Sequence, residues 1–348
     1  MATLIATVLT FVRLLESDAL GNTAAPQAGG SAATSPFADA LAKMNHYRAL
    51  EHLNPLTEEP TLSQDAAKHA RYVVENKLGP GNLRIDGDQV KSEPSPMVHN
   101  EEVGNPWYSV AGASVAGSSD VFTAAAVPSD LRPWIDRLMT SPRTALMVLE
   151  PTLVSIGYGE YCASGSCAAV VVYNTNQSTP EFWREFKLTA ASPSQYEYYH
   201  YGSGDRVRIY LKWPIQFPPP DGSFPLGSYD GGRESDDPLS PCAGYKAPTG
   251  LPIVLSLGQG LNDTAAIKLE SYSLMEGAQQ LESCGYDAFS YTNQNPQVQQ
   301  TGRNLLRLRL AAVVIPREPL EAGHTYTVSM TADSKEYKWS FKIGPGGS

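Results

Sequence analysis

The periodicity of the apolar residues changes once along the chain, and that change limits the fold more than any other feature of the sequence. After Ser35-Pro36, an N-cap followed by a first-turn proline, Phe37, Leu41, Met44 and Tyr47 recur at the spacing of one helical face, to an end near His52. Thr61 to Gln64 reads as a capping box, and Leu62, Ala66, Ala70, Val73 and Lys77 then fall on one stripe that Gly79 stops. Ser118-Ser119 is read as the cap of a short helix through Ala126, and Ser129 as the cap of another carrying Trp134, Ile135 and Leu138 until Ser141-Pro142. Two β-rich runs follow, Leu153 to Tyr161 and Cys167 to Tyr173. Beyond residue 205 the period becomes two: Val207, Ile209, Leu211 and Trp213 alternate with polar residues, as do Leu306, Leu308 and Leu310, then Tyr326, Val328 and Met330, then Tyr337, Trp339, Phe341 and Ile343. The fold class this predicts is α+β, with helices on a small antiparallel sheet followed by an all-β sandwich.

With 348 residues the chain exceeds what one hydrophobic core usually serves, so two domains are expected: 35–176 and 205–348, with a signal-like segment and linker at 1–34 and a second linker at 177–204. Each domain is expected to fold alone. The net charge of -10, with no clustered positive residues, argues against a nucleic-acid partner. The longest apolar run, Ala2 to Val12, is stopped by Arg13 and is too short to span a bilayer. It resembles the apolar core of a signal peptide, although the usual early Lys or Arg is missing, so the expectation is a secreted, extracellular protein.

The four cysteines fall into two pairs, one in each half. Cys162 and Cys167 flank a Ser-Gly turn between apolar runs, so a hairpin brings them into bridging range, and Cys242 and Cys284 are left for each other. The alternative is four reduced, buried thiols; zinc is disfavoured because no Cys-x-x-Cys spacing occurs.

Residues 80–107 are polar, rich in turn residues and without period, and long enough to be functional. His99, with Glu101 or Glu102, can bind a metal or activate a water, and Trp107 and Tyr108 can line a cleft for an apolar ligand. His69 is read instead as a satisfied half-buried residue of the second helix. Ser114, Ser118 and Ser119 suggest a hydrolase only weakly, because they depart from Gly-x-Ser-x-Gly.

Several segments in order carry a family resemblance. Met44–Leu56 (MNHYRALEHLNPL) looks like the opening helix of the CAP superfamily, and Pro60–Tyr72 (PTLSQDAAKHARY) like its second. Val98-His99 is placed like the family's first cavity histidine, while Trp134, Ser141-Pro142, Leu149 to Pro151, Ile156 to Gly159 and Val170 to Tyr173 resemble the stretch from the fourth helix through the hairpin. The resemblance covers about residues 36–176 and is nearest to a divergent bacterial branch. It implies a CAP-type α-β-α sandwich. It also implies a cavity that, when complete, presents two histidines and two acids for a divalent metal. Here Thr144 stands where the second histidine usually follows Ser-Pro, and no Gly-Glu-Asn segment is recognisable around Gly112 to Ser119. The cavity is therefore read as half retained, with neither metal nor cofactor. Pro319 to Val328 and Trp339 to Gly344 make the second half look like a bacterial immunoglobulin-like module. The function expected is a non-enzymatic secreted protein that binds a small apolar or amphipathic ligand such as a lipid, or an extracellular surface partner, through the cleft near His99. The alternative is a secreted hydrolase, possibly a peptidase, using His99 with Glu101 or Glu102.

Overall fold

The computed structural model describes residues 36–78, 84–86, 89–91, 96–127, 130–173, 196–199, 206–209, 212–231, 237–260 and 265–345. The signal-like segment, and the 177–204 linker apart from 196–199, lie outside the described residues.

The first half is built on a four-stranded sheet. Helix α1 (Pro36–Leu50) begins at its proline and buries Phe37, Ala40, Met44 and Tyr47. After β1 (Thr57–Glu58) comes α2 (Pro60–Glu75). Its N-cap is Glu59, which accepts from the Thr61 N–H, and not the Thr61 box: Pro60 has no N–H to satisfy and already holds the helical φ. A short hairpin, β2 (Arg84–Asp86) and β3 (Gln89–Lys91), precedes a 3-10 turn at Pro96–His99. Helix α3 (Val110–Ala116) is capped by Ser109, whose Oγ accepts from the Gly112 N–H at 2.9 Å.

Two expectations for this stretch are corrected. Residues 119–126 are not a helix; Ser119–Ala124 form β4, whose Val, Phe and Thr side chains suit a strand, and which pairs with the later hairpin. Ser141-Pro142 does not only end helix α4 (Arg132–Met139) but opens α5 (Pro142–Val148), with Ser141 Oγ capping the Thr144 N–H at 3.1 Å. Strands β5 (Ser155–Ala163) and β6 (Ser166–Tyr173) complete a sheet in the order β1-β5-β6-β4, with β1 parallel to β5 and the remaining pairs antiparallel.

Period two on β6 separates two layers. Ala168, Val170 and Val172 pack with Ala66, Ala70 and Val73 of α2 and Val115 of α3. Val171 and Tyr173 face the other way, into a cluster with Met44, Tyr47, Leu131, Trp134 and Ile135. Helix, sheet and helix thus lie in three layers, and the fold class is α+β. Gly157 and Gly159 let α2 lie against β5: an added Cβ would come within 2.4 Å of the Leu62 backbone and 2.0 Å of the Ala67 backbone.

The second half places two sheets face to face. After the isolated pair β7 (Tyr196–Tyr199) and β8 (Arg206–Ile209) come β9 (Ile215–Phe217), β10 (Ser223–Phe224), β11 (Ser228–Tyr229), β12 (Thr249–Gly250) and β13 (Ile253–Ser256). They are followed by β14 (Leu269–Glu276), β15 (Gln279–Gln280), β16 (Ser283–Asp287), helix α6 (Pro296–Leu308), β17 (Ala311–Pro316), β18 (Thr325–Ala332) and β19 (Lys335–Ile343). One sheet runs β10-β19-β18-β14-β15 and the other β16-β17-β13-β9, while β11 and β12 pair with each other. β18 alternates as read, burying Tyr326, Val328, Met330 and Ala332, and β17 is buried at every position because α6 packs on its second face.

Helix α6 corrects the strand expected at Leu306 to Leu310. Asn295 caps it and Pro296 opens it, and Gly302 and Leu306 are its buried residues, four apart as on a helix face; the alternating leucines mimic a strand only over the last turn. Both disulfides form as read: Cys162 and Cys167 are register partners across the β5–β6 hairpin, and Cys242 bridges to Cys284 on β16. Among the described residues no helix is long and apolar enough to cross a membrane.

Among the described residues, no strand of the first sheet pairs with one of the second half. The hydrophobic cluster is nonetheless shared, running from Met44 and Leu146 through Ile215 and Phe217 to Phe341, and residues 34–348 make one compact unit.

Candidate functional site

His99 ends the 3-10 turn, and the loop from 100 to 109, α3, the start of β4 and the first turn of α5 carry the other residues of the candidate site. His99 is half-buried, and its Nδ1 lies 3.4 Å from the carbonyl oxygen of Ala116 at the end of α3. A carbonyl only accepts, so Nδ1 carries the proton and Nε2 keeps its lone pair. Burial pushes the imidazole below its ordinary range; the Ala116 carbonyl and Asp120 oppose this, while Arg143 and His69 add to it. His99 is thus a neutral acceptor at neutral pH.

Asp120, the second residue of β4, has Oδ2 accepting from the Tyr173 hydroxyl at 2.6 Å and from the Thr144 hydroxyl at 3.4 Å. Tyr173 is 1% exposed, and burial beside this carboxylate holds its phenol well above its ordinary value. Thr144, at the position where the resemblance places a histidine, thus supplies a hydroxyl to a carboxylate.

Glu101 is tied up elsewhere. It is 5% exposed, with Oε1 at 2.9 Å from His69 Nδ1 and Oε2 accepting from the Ser109 N–H at 2.9 Å. His69 is 0% exposed and donates from Nε2 to the Val98 carbonyl at 2.8 Å, so its contact with Glu101 needs a proton between Nδ1 and Oε1. This pair pins the turn before His99 and the loop after it to α2. Glu102 is exposed, and its backbone N–H donates to the Tyr72 hydroxyl at 2.9 Å.

Trp107 is half-exposed with the Arg71 guanidinium 4.4 Å from its ring, and the same guanidinium is 5.8 Å from the Tyr161 ring. The backbone N–H of Trp107 donates to Asn105 Oδ1, which also accepts from Asn76, while Asn105 Nδ2 donates to Asn76 Oδ1 at 2.6 Å. Tyr108 is half-exposed beside it. Among the described residues, no hydrogen bond, ion pair or ring contact joins His99 to Glu101, Glu102, Trp107 or Tyr108. The structure puts His99 near Asp120, Arg143 and His69 instead.

Ser114, Ser118 and Ser119 each donate their hydroxyl to a carbonyl three residues back, those of Ala111, Val115 and Ala116. That geometry does not aim a nucleophile at His99.

A divalent metal does not fit these donors. Both oxygens of Glu101 are engaged by His69 and Ser109, Thr144 brings no imidazole, and His99 with Asp120 gives two ligands, one already accepting two hydroxyls. Among the described residues no three His, Cys, Asp or Glu side chains converge as a ligand set.

Sequence reasoning missed Asp120, because the segment containing it was read as a helix. The signal was there: one carboxylate opening a run of Val, Phe and Thr invites a search for the hydroxyls that hold it.

Residues 41–174 match the family model described as CAP, the cysteine-rich secretory protein family. No curated protein matches the chain.

Proposed function

From the premise that residues 41–174 are a CAP domain, we propose that this protein is secreted and non-enzymatic, and binds a small apolar or amphipathic ligand, or an extracellular partner, through the cleft at His99. The observation that carries the reading is the chemistry of His99 and Asp120. A neutral, half-buried imidazole with a free lone pair stands near a carboxylate held by Tyr173 and Thr144, which is a pair of acceptors suited to the hydroxyl or amine head of an otherwise apolar molecule. Two disulfides and the apolar run Ala2 to Val12 support export. The second half serves as an immunoglobulin-like spacer or adhesion module. The alternative hydrolase has less support, because Glu101 is engaged by His69 and the candidate serines by local carbonyls.

The test is titration with a fluorescent long-chain alcohol, whose hydroxyl can donate to this pair of acceptors. Wild type should bind it, and His99→Ala should weaken binding about tenfold, as loss of about 1.4 kcal/mol of hydrogen bonding would require. Undetectable binding by wild type, or unchanged affinity in the variant, overturns the reading. Ester or peptide turnover lost in His99→Ala would establish the hydrolase instead.

A further inference from the structure

Where residues before 174 meet the strands after 211 lies a carboxylate that the cleft does not use. Glu51, just past the end of α1, is 3% exposed. It takes a hydrogen bond from the backbone N–H of Gln216 in β9, but its Oε1 has no partner among the described residues. Two further buried polar atoms without a hydrogen-bond partner, Asn54 Nδ2 and Trp213 Nε1, belong to the same two segments. Apolar residues of these segments join Phe224 in one cluster: Tyr47, Leu53, Ile215 and Phe217 belong to it, and the rings of Tyr47 and Phe224 are 5.3 Å apart.

The charged groups around Glu51 do not neutralise it in place. From the strand side Lys212 attracts it, but that residue is exposed to water. On the helix before it, Arg48 is 0% exposed and spends its guanidinium on the carbonyls of Asn54, Val148, Glu150 and Leu153, at 2.6–2.9 Å. An ionised carboxylate with one backbone hydrogen bond and a solvated counter-charge is costly inside an apolar junction. Its protonated form carries no charge and gains an O–H donor.

We propose that this junction is a protonation-dependent latch, closed while Glu51 holds its proton and loosened when Glu51 ionises. Burial raises the carboxyl to about 7, against the pull of Lys212 and the Gln216 N–H. The sign follows: a carboxyl held above its ordinary value of 4.5 gives the closed form an advantage that is complete below that value and is lost as pH rises through about 7. β9 is the element released, because it carries Gln216 and packs Ile215 and Phe217 against Leu146 and Leu149 of the first half.

The full chain tests this. In wild type the Glu51 carboxyl carbon, followed by NMR, should titrate with a midpoint near 7, and amide exchange in β9, corrected for its intrinsic pH dependence, should quicken about tenfold between about pH 5.5 and about pH 8.5. Glu51→Gln, a neutral mimic, should exchange at one corrected rate across that range. A Glu51 midpoint near the ordinary 4.5, or the same pH slope in Glu51→Gln, overturns the proposal. If Glu51→Gln does not fold, Lys212→Met decides. Loss of the offsetting charge should move the carboxyl and exchange midpoints to higher pH together, and a shift in neither, or in only one, refutes the latch.

Discussion

A single methyl group at Gly112 tests how firmly the buried His69–Glu101 pair is held. A Cβ there would sit 2.3 Å from Glu101 Oε1 and 2.8 Å from Ser109 Oγ. Both atoms end flexible side chains, but Glu101 is bound to His69 and the Ser109 N–H, and Ser109 caps α3, so neither yields without losing a hydrogen bond. Gly112→Ala should therefore cost about 2 kcal/mol in urea unfolding, whereas Gly117→Ala, with nothing within 4 Å of the added carbon, should be neutral or slightly stabilising. Equal effects at the two positions would mean that the pair does not hold the loop. At this scale the sequence told the types of residue but not their partners. His69 was legible as satisfied, and Thr144 as a replacement for a histidine. The partner of His69, however, lies 32 residues away, in the loop that folds back on α2, and that of Tyr173 lies 53 away, a separation closed by the register of β4 on β6.

Helix α2 lies tightly against strand β5, whose two glycines were legible only as part of a family-like motif. Gly159→Ala would place a carbon 2.0 Å from the Ala67 nitrogen, which is backbone and cannot rotate away. The helix must then lift from the sheet and loosen the layer of Ala66, Ala70, Val73, Val170 and Val172, at a cost of about 3 kcal/mol measured by thermal or urea unfolding. A loss no larger than that of Gly117→Ala would show that α2 tolerates displacement. Elements with long runs, such as β6, β18 and β19, were read correctly because a period needs several repeats to declare itself. The misreadings fall on short or mixed segments. β4 has only six residues and opens on Ser119 directly after Ser118, a serine pair that favours a helix cap, and the last turn of α6 offers Leu306 and Leu308 two apart, as a strand would.

Across the whole molecule, a period reports which face of an element is buried but not what buries it, and the shared core was therefore invisible in the sequence. We propose that 35–176 and 205–348 remain separate as hydrogen-bonded sheets while cooperating through their side chains. Apart from the apolar contacts, Glu150 links the halves: its Oε1 accepts from Gln259 Nε2 at 2.6 Å and from the Thr152 hydroxyl, and its Oε2 lies 3.3 Å from Arg309. Glu150 is 4% exposed, so this is a buried polar link whose loss leaves Gln259 and Arg309 poorly partnered. Cutting the chain at 176 would expose the side of Leu146 and Leu149 that now meets Ile215, Phe217 and Val254. The intact protein should then melt in one calorimetric transition whose van't Hoff and calorimetric enthalpies agree. The fragment 35–176, if it folds, should melt below the intact chain and bind a hydrophobic dye, because each exposed leucine forfeits about 2 kcal/mol of burial. Two resolved transitions in the intact chain, with the fragment melting at one of them, would show instead that the halves merely touch.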